Sequence, residues 1–114
     1  MTDLTDLEAT RLCLRAIGLQ EAPDAEPVHY WQPMGGGSTL RRYDPLHDRA
    51  QWAELVEKLH LNVKWIQDVA HVIGWYEGRT GALFEEASST TLAHAVVHCV
   101  ARIQLSRERG GKKP

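Results

Sequence analysis

Residues 43–65, YDPLHDRAQWAELVEKLHLNVKW, hold the chain to one local order: a turn, a helix, then a strand. Asp44-Pro45 disfavours helical backbone at Asp44, because the proline ring crowds the residue before it. Asp48 stands where an N-cap belongs, and Gln51 three residues on completes a capping-box spacing. Trp52, Leu55, Val56 and Leu59 recur at i, i+3, i+4 and i+7, so they share one helical face; Arg49, Glu54, Glu57 and Lys58 take the other. From Leu61 the period drops to two. Leu61, Val63 and Trp65 alternate with Asn62 and Lys64, as on a half-buried strand. With almost no linker between helix and strand, the Trp52 face is expected to pack on the sheet that holds Trp65, with both tryptophans in the core. His60, near the end of the helix, is expected to be structural, since a protonated imidazole meets the dipole favourably there.

The same punctuation organises the rest. Thr5 and Glu8 form a second capping box, opening a helix through Ile17 with Leu4, Leu7, Leu14 and Ile17 on one side. Gly18 and Leu19 then fit a Schellman ending. Residues 20–27 are a polar linker with two prolines. Residues 28–32 predict a strand stopped by Pro33, residues 34–38 a glycine-rich loop, and residues 39–43 the returning strand, with Pro33 suited to an edge. Residues 61–67 and 69–76 predict two more strands about a Gln67-Asp68 turn. Val69, His71, Ile73 and Trp75 share one face and Ala70, Val72, Gly74 and Tyr76 the other. Large apolar groups on both predict a central strand covered on both sides. Residues 82–86 predict a short last strand. Ser88, Ser89 or Thr90 caps a final helix whose main stripe is Leu92, Val96, Cys99 and Ile103. Its opposite side holds His94, His98, Ala101 and Leu105, so it is either deeply packed or covered by a second subunit, and a homodimer is the expectation that follows. Gly110-Gly111 ends it, leaving residues 107–114 as a basic, flexible tail.

A chain of 114 residues is one domain and buries enough surface to stand without staples. A net charge of −2 argues against a dedicated nucleic-acid binder. No apolar run reaches membrane-spanning length, and the acidic, polar start does not read as a secretory signal. Cys13 and Cys99 are expected as buried reduced thiols, a disulfide between their helices being the alternative.

Few residues carry chemistry. His94 and His98 are one turn apart, the spacing of a two-histidine metal pair, but the glutamate of HExxH is missing and a third ligand must come from elsewhere, His71 or a carboxylate. Exposed or interfacial histidines are the plainer reading. Cys99 beside His98 is no nucleophile pair, because adjacent helical residues face apart. The Gly35–Gly37 run lacks the lysine and following helix of a phosphate loop. No catalytic residue, cofactor site or resident metal is expected. The candidate partner-binding residues are Tyr30, Trp31, Trp75 and Tyr76, aromatics on strands, with Arg41 and Arg42. An acidic patch from the N-terminal carboxylates is a further candidate surface. Binding to nucleic acid would use Arg41, Arg42, Arg102, Arg107 and Arg109.

The order of motifs resembles the phage ABA-sandwich domain family of small bacteriophage and prophage proteins. It has a short helix ending in Gly18 and a strand carrying Trp31. The turn Tyr43-Asp44-Pro45-Leu46-His47-Asp48 and the Trp52–Leu59 helix closing in Glu57-Lys58-Leu59 follow, then two strands and a Cys-bearing last helix. The resemblance covers nearly the whole chain, its specific part being the Pro-Leu-x-Asp turn and the helix behind it. The Met34–Ser38 tip is longer and the tail more basic than in that pattern. It implies an α+β, three-layer α/β/α sandwich, with a mainly antiparallel sheet of four to five strands and three helices. It also implies a non-catalytic accessory protein in the bacterial host cytoplasm, binding a host or phage protein and in one reading inhibiting a host defence system such as CRISPR. Nucleic-acid association and a metal-dependent enzyme around His94 and His98 are the alternatives.

Overall fold

The computed structural model describes residues 4–22, 27–78 and 81–109. Three helices and six strands follow in the order α1 (Asp6–Ala16), β1 (Gln20–Glu21), β2 (His29–Met34), β3 (Gly37–Arg42), α2 (Arg49–Lys58), β4 (Asn62–Ile66), β5 (Val69–Gly78), β6 (Gly81–Ser89) and α3 (Leu92–Glu108). The fold is α+β. The strands form two antiparallel three-stranded sheets, β1-β2-β3 and β4-β5-β6, instead of the single sheet of four to five strands expected from sequence. The hairpin signals fix neighbours in the chain; whether two hairpins then join edge to edge is decided by distant packing.

Local chemistry accounts for the elements. Thr5 Oγ1 accepts from the Glu8 amide at 3.1 Å and starts α1. Gly18 takes φ +75°, Gly18 N–H donates to Arg15 O and Leu19 N–H to Leu14 O, which is the Schellman ending. Asp48 caps α2 through the Gln51 amide at 3.1 Å. The reciprocal half of that capping box is absent. Asp48 N–H is satisfied by Asp44 O at 2.9 Å, which frees Gln51 to accept from Asp44 N–H at 2.6 Å and donate to Arg42 O at 3.0 Å. Gln51 thus ties the Pro45 turn and the end of β3 to α2.

The expected glycine loop is mostly strand. β2 and β3 pair from His29↔Arg42 to Met34↔Gly37, leaving a two-residue tip with Gly36 at φ +86°. Pro33 is accommodated because β1 reaches only Tyr30 and Trp31, so beyond them that side of β2 has no ladder to lose. Gln67 and Asp68 both take positive φ, as a two-residue hairpin turn requires. β6 is longer than expected and runs the full length of β5, from Ala70↔Ser89 to Gly78↔Gly81. Residues 79–80, 23–26 and 110–114 lie outside the described residues, and with them most of the linker, the Gly110-Gly111 stop and most of the basic tail.

α3 is the organising helix. Ala95, Val96, Val97, Cys99, Val100, Ala101 and Ile103 are all buried. α3 packs on β5 and β6 on one side and meets α1 and α2 on others. Its uniform apolarity therefore reflects deep packing inside one chain. The side of α3 that holds His94 and His98 meets α1, which runs beside α3 in the same direction: Asp6 meets His94 and His98 near the start of α3, and Arg15 meets Glu108 at its end. Ala70, Val72, Gly74 and Tyr76 face the buried side, and the space that a side chain at Gly74 would need is taken by Ile103 and Leu61. On α1 the buried residues are Ala9, Thr10, Leu12, Cys13 and Leu14, while Leu7 stays exposed.

Candidate functional site

Two features stand out: an open sheet face and a histidine–carboxylate cluster. The antiparallel register fixes the first. Ile73 pairs with Asn62 and Glu86, Trp75 with Phe84, and Ile66 with Val69, so Ile66, Val69, Ile73, Trp75 and Phe84 share the face opposite α3. Trp75 is 57% exposed and Phe84 49%, and their rings meet at 5.1 Å. The expectation that β5 is covered on both sides is corrected. β5 is the central strand of its sheet, but among the described residues only the face of Ala70, Val72, Gly74 and Tyr76 lies against a helix. Lys64, Glu77 and Glu86 are exposed on the same open face, giving it a charged margin.

The edge strand β4 is exposed along its whole length, with Asn62, Lys64 and Ile66 on the open face and Val63 and Trp65 on the other. Trp65, expected as a core anchor, is 54% exposed; Trp52 is partly buried and packs on the core as expected. Leu61 shares the Trp65 face and is buried, so the cover under that face fades along β4 away from Leu61.

The candidate partner-binding residues divide. Trp31 is exposed and pairs with exposed Leu40 on the other sheet. Tyr30 is half-buried and meets Tyr43 edge-on at 5.9 Å. Tyr76, only 5% exposed, belongs to the core, its hydroxyl 3.4 Å from Glu85 Oε2. Arg41 donates to Gln32 Oε1 at 2.8 Å, and Arg42 lies 3.7 Å from Asp44. Arg102 donates to the Glu86 carbonyl. Three of the five arginines considered for nucleic acid thus have protein partners.

The second feature joins α1 to α3. His94 and His98 stack with ring centroids 4.1 Å apart. Both aim Nε2 at one oxygen, Asp6 Oδ1, at 3.3 Å and 2.9 Å. The hydrogen bond from His98, opposed by some desolvation and helped by the charge of His94, holds the Asp6 carboxyl below its ordinary range. His98 is mostly buried, whereas His94 and Asp6 open to solvent. Asp6 also lines a shallow depression of about 140 Å³, with Leu7, Val28, Arg42 and Asp44. His71 is engaged elsewhere, its Nδ1 2.8 Å from Ser88 Oγ on β6.

Cys13 and Cys99 are free and buried, each thiol donating to a backbone carbonyl, Val97 and Glu85. Burial pushes the Cys99 thiol up to about 12 and raises Cys13 as well, so neither is poised as a nucleophile.

Asp6 and Phe84 were not among the residues singled out from sequence. Asp6 counts there only as one of the N-terminal carboxylates, and nothing local says that α1 lies beside α3. Phe84 becomes part of the face only through its register with Trp75. The molecule is thus a small α+β domain with one sheet left open and a two-histidine, one-carboxylate cluster between its first and last helices. No protein-family model matches the chain, and no curated protein matches it. No helix among the described residues is long and apolar enough to cross a membrane.

Proposed function

We propose that the chain is a non-catalytic protein-binding module whose contact surface is the open face of the β4-β5-β6 sheet. The observation that carries this reading is the half-exposed Trp75–Phe84 pair, which stands on the open face beside Ile73 with Glu77 and Glu86 next to it. Tryptophan-centred patches with a charged margin are the usual form of a binding hot spot. A partner that lays an apolar helix or loop on this face supplies the outer layer that an α/β/α sandwich requires. The resemblance to phage ABA-sandwich proteins supports a partner from the bacterial host or the phage, met in the host cytoplasm. A component of host defence is one such partner.

The test is a pull-down from bacterial host lysate at high salt with the wild-type chain and Trp75→Ala, followed by titration with the purified partner. The expected result is a retained protein whose affinity for Trp75→Ala falls by about thirtyfold, the size of a hot-spot truncation. The melting temperature should stay unchanged, because Trp75 makes few core contacts. Equal binding by the variant would overturn the reading, as would a wild-type chain that retains no protein.

A further inference from the structure

We infer that Asp6, His94 and His98 form a binding site for a divalent transition cation of the zinc class. Three independent elements of the geometry converge. The two imidazoles stand one turn apart on α3, stacked, with both Nε2 atoms directed to the same point. The third group is a carboxylate, held there by the start of α1. One ligand atom from each residue lies within 4.8 Å of the other two. In a tetrahedral zinc site with ligand bonds of about 2.0–2.1 Å, neighbouring ligand atoms stand about 3.3–3.4 Å apart, and in an octahedral one about 2.9 Å. The separations of 3.3 Å and 2.9 Å fall in that range, so small side-chain adjustments suffice to admit the ion.

The donor set selects the class. Two neutral imidazoles and one carboxylate suit zinc and its neighbours in the first transition row; calcium and magnesium prefer oxygen alone. Because His94 and Asp6 open to solvent, water completes the coordination. In a neutral ring the proton that now faces Asp6 moves to Nδ1 and frees Nε2 for the ion; at acid pH each doubly protonated ring must lose a proton first, so binding weakens as pH falls. The ring also sets the strength. His94 Nδ1 is buried without a hydrogen-bond partner, and a metal-bound imidazole ordinarily donates that N–H to an acceptor. Lacking it costs about 10–100-fold in affinity, so micromolar rather than nanomolar binding is expected.

The alternative is a purely hydrogen-bonded cluster, in which Asp6 Oδ1 accepts an N–H from each ring. Titration of chelator-stripped full-length chain with zinc, by calorimetry, separates the two. Cobalt added in its place gives a visible spectrum that reports the ligand field. The metal reading expects one ion per chain, a rise in melting temperature, and at least tenfold weaker binding in both Asp6→Asn and His94→Ala. Asp6→Asn keeps the size and the acceptor oxygen of Asp6, so it remains informative if the histidine variant folds poorly. No binding at micromolar zinc, or binding that both variants retain unchanged, would overturn the inference; the second outcome would assign the ion to other histidines.

Discussion

His60 carries a cost that its position makes unavoidable. It takes φ +51°, while Leu61 N–H donates to Val56 O at 3.0 Å and His60 N–H to Glu57 O at 3.4 Å. This is the Schellman pattern that Gly18 completes for α1, with a side chain where glycine is favoured. The sequence placed His60 at the helix end and credited it with a dipole interaction. The backbone strain was not legible, because only the three-residue step from α2 into β4 forces the left-handed turn. The ring is exposed and makes no hydrogen bond among the described residues. His60→Gly is therefore expected to stabilise the fold by about 0.5–1 kcal/mol, the relief of a left-handed non-glycine residue less the added freedom of the unfolded chain. Urea melts of the two proteins should show a higher midpoint at unchanged slope. A lower midpoint would mean that the imidazole contributes more than its backbone costs.

At the scale of elements, nearly every helix and strand was legible, because caps, periodicity and turn residues are local. Thr5, Asp48, Gly18 and the Gln67-Asp68 turn each act where they stand. The faces were legible too: alternation placed Trp75 opposite Gly74. Which face a helix would cover was not, since that depends on where α3 crosses the sheet. Gly74 marks the crossing. A Cβ built there would lie 2.5 Å from Ile103 Cδ1 and 2.6 Å from Leu61 Cδ2, both in side chains that are themselves buried. Gly74→Ala should thus destabilise by about 1–3 kcal/mol through overpacking, despite alanine's lower entropic cost in a strand. Ala70→Gly, on the same buried face, is expected to cost about 1 kcal/mol for the opposite reasons, a lost methyl and a more flexible unfolded chain. If Gly74→Ala instead melts with the wild type in thermal unfolding, α3 has room to lift and the crossing is looser than these distances imply.

For the whole molecule the seam between the first and last helices matters most, because it joins parts of the chain farthest apart in sequence. Cys13 donates to Val97 O at its middle, and Arg15 grips Glu108 at its far end through Nε–Oε2 at 2.8 Å and Nη2–Oε1 at 3.1 Å. No local signal pairs Arg15 with Glu108, ninety-three positions away; a basic last turn on α1 and an acid near the end of α3 each read as solvated. The hydrogen bonds from Arg15, then the one from Gln104, hold the Glu108 carboxyl below its ordinary value of 4.5 in the folded chain. A carboxyl with a depressed folded pKa binds protons more weakly when folded than unfolded. Its stabilisation is accordingly complete above the unfolded value, near 4.5, and is lost as pH falls through the lower folded one. Both side chains are well exposed, so solvent screens the pair and a contribution of about 0.5 kcal/mol at neutral pH is expected. Glu108→Gln should lower the melting temperature at pH 7 by a degree or two, of order the shift that so small a loss causes in a domain this size. The gap should close as pH falls through the depressed folded value, below which the wild-type carboxyl is also neutral. It should shrink in high salt as well, since the pair is screened. A gap that persists unchanged at acid pH would locate the effect in Gln104 or in helix packing instead of in the ion pair.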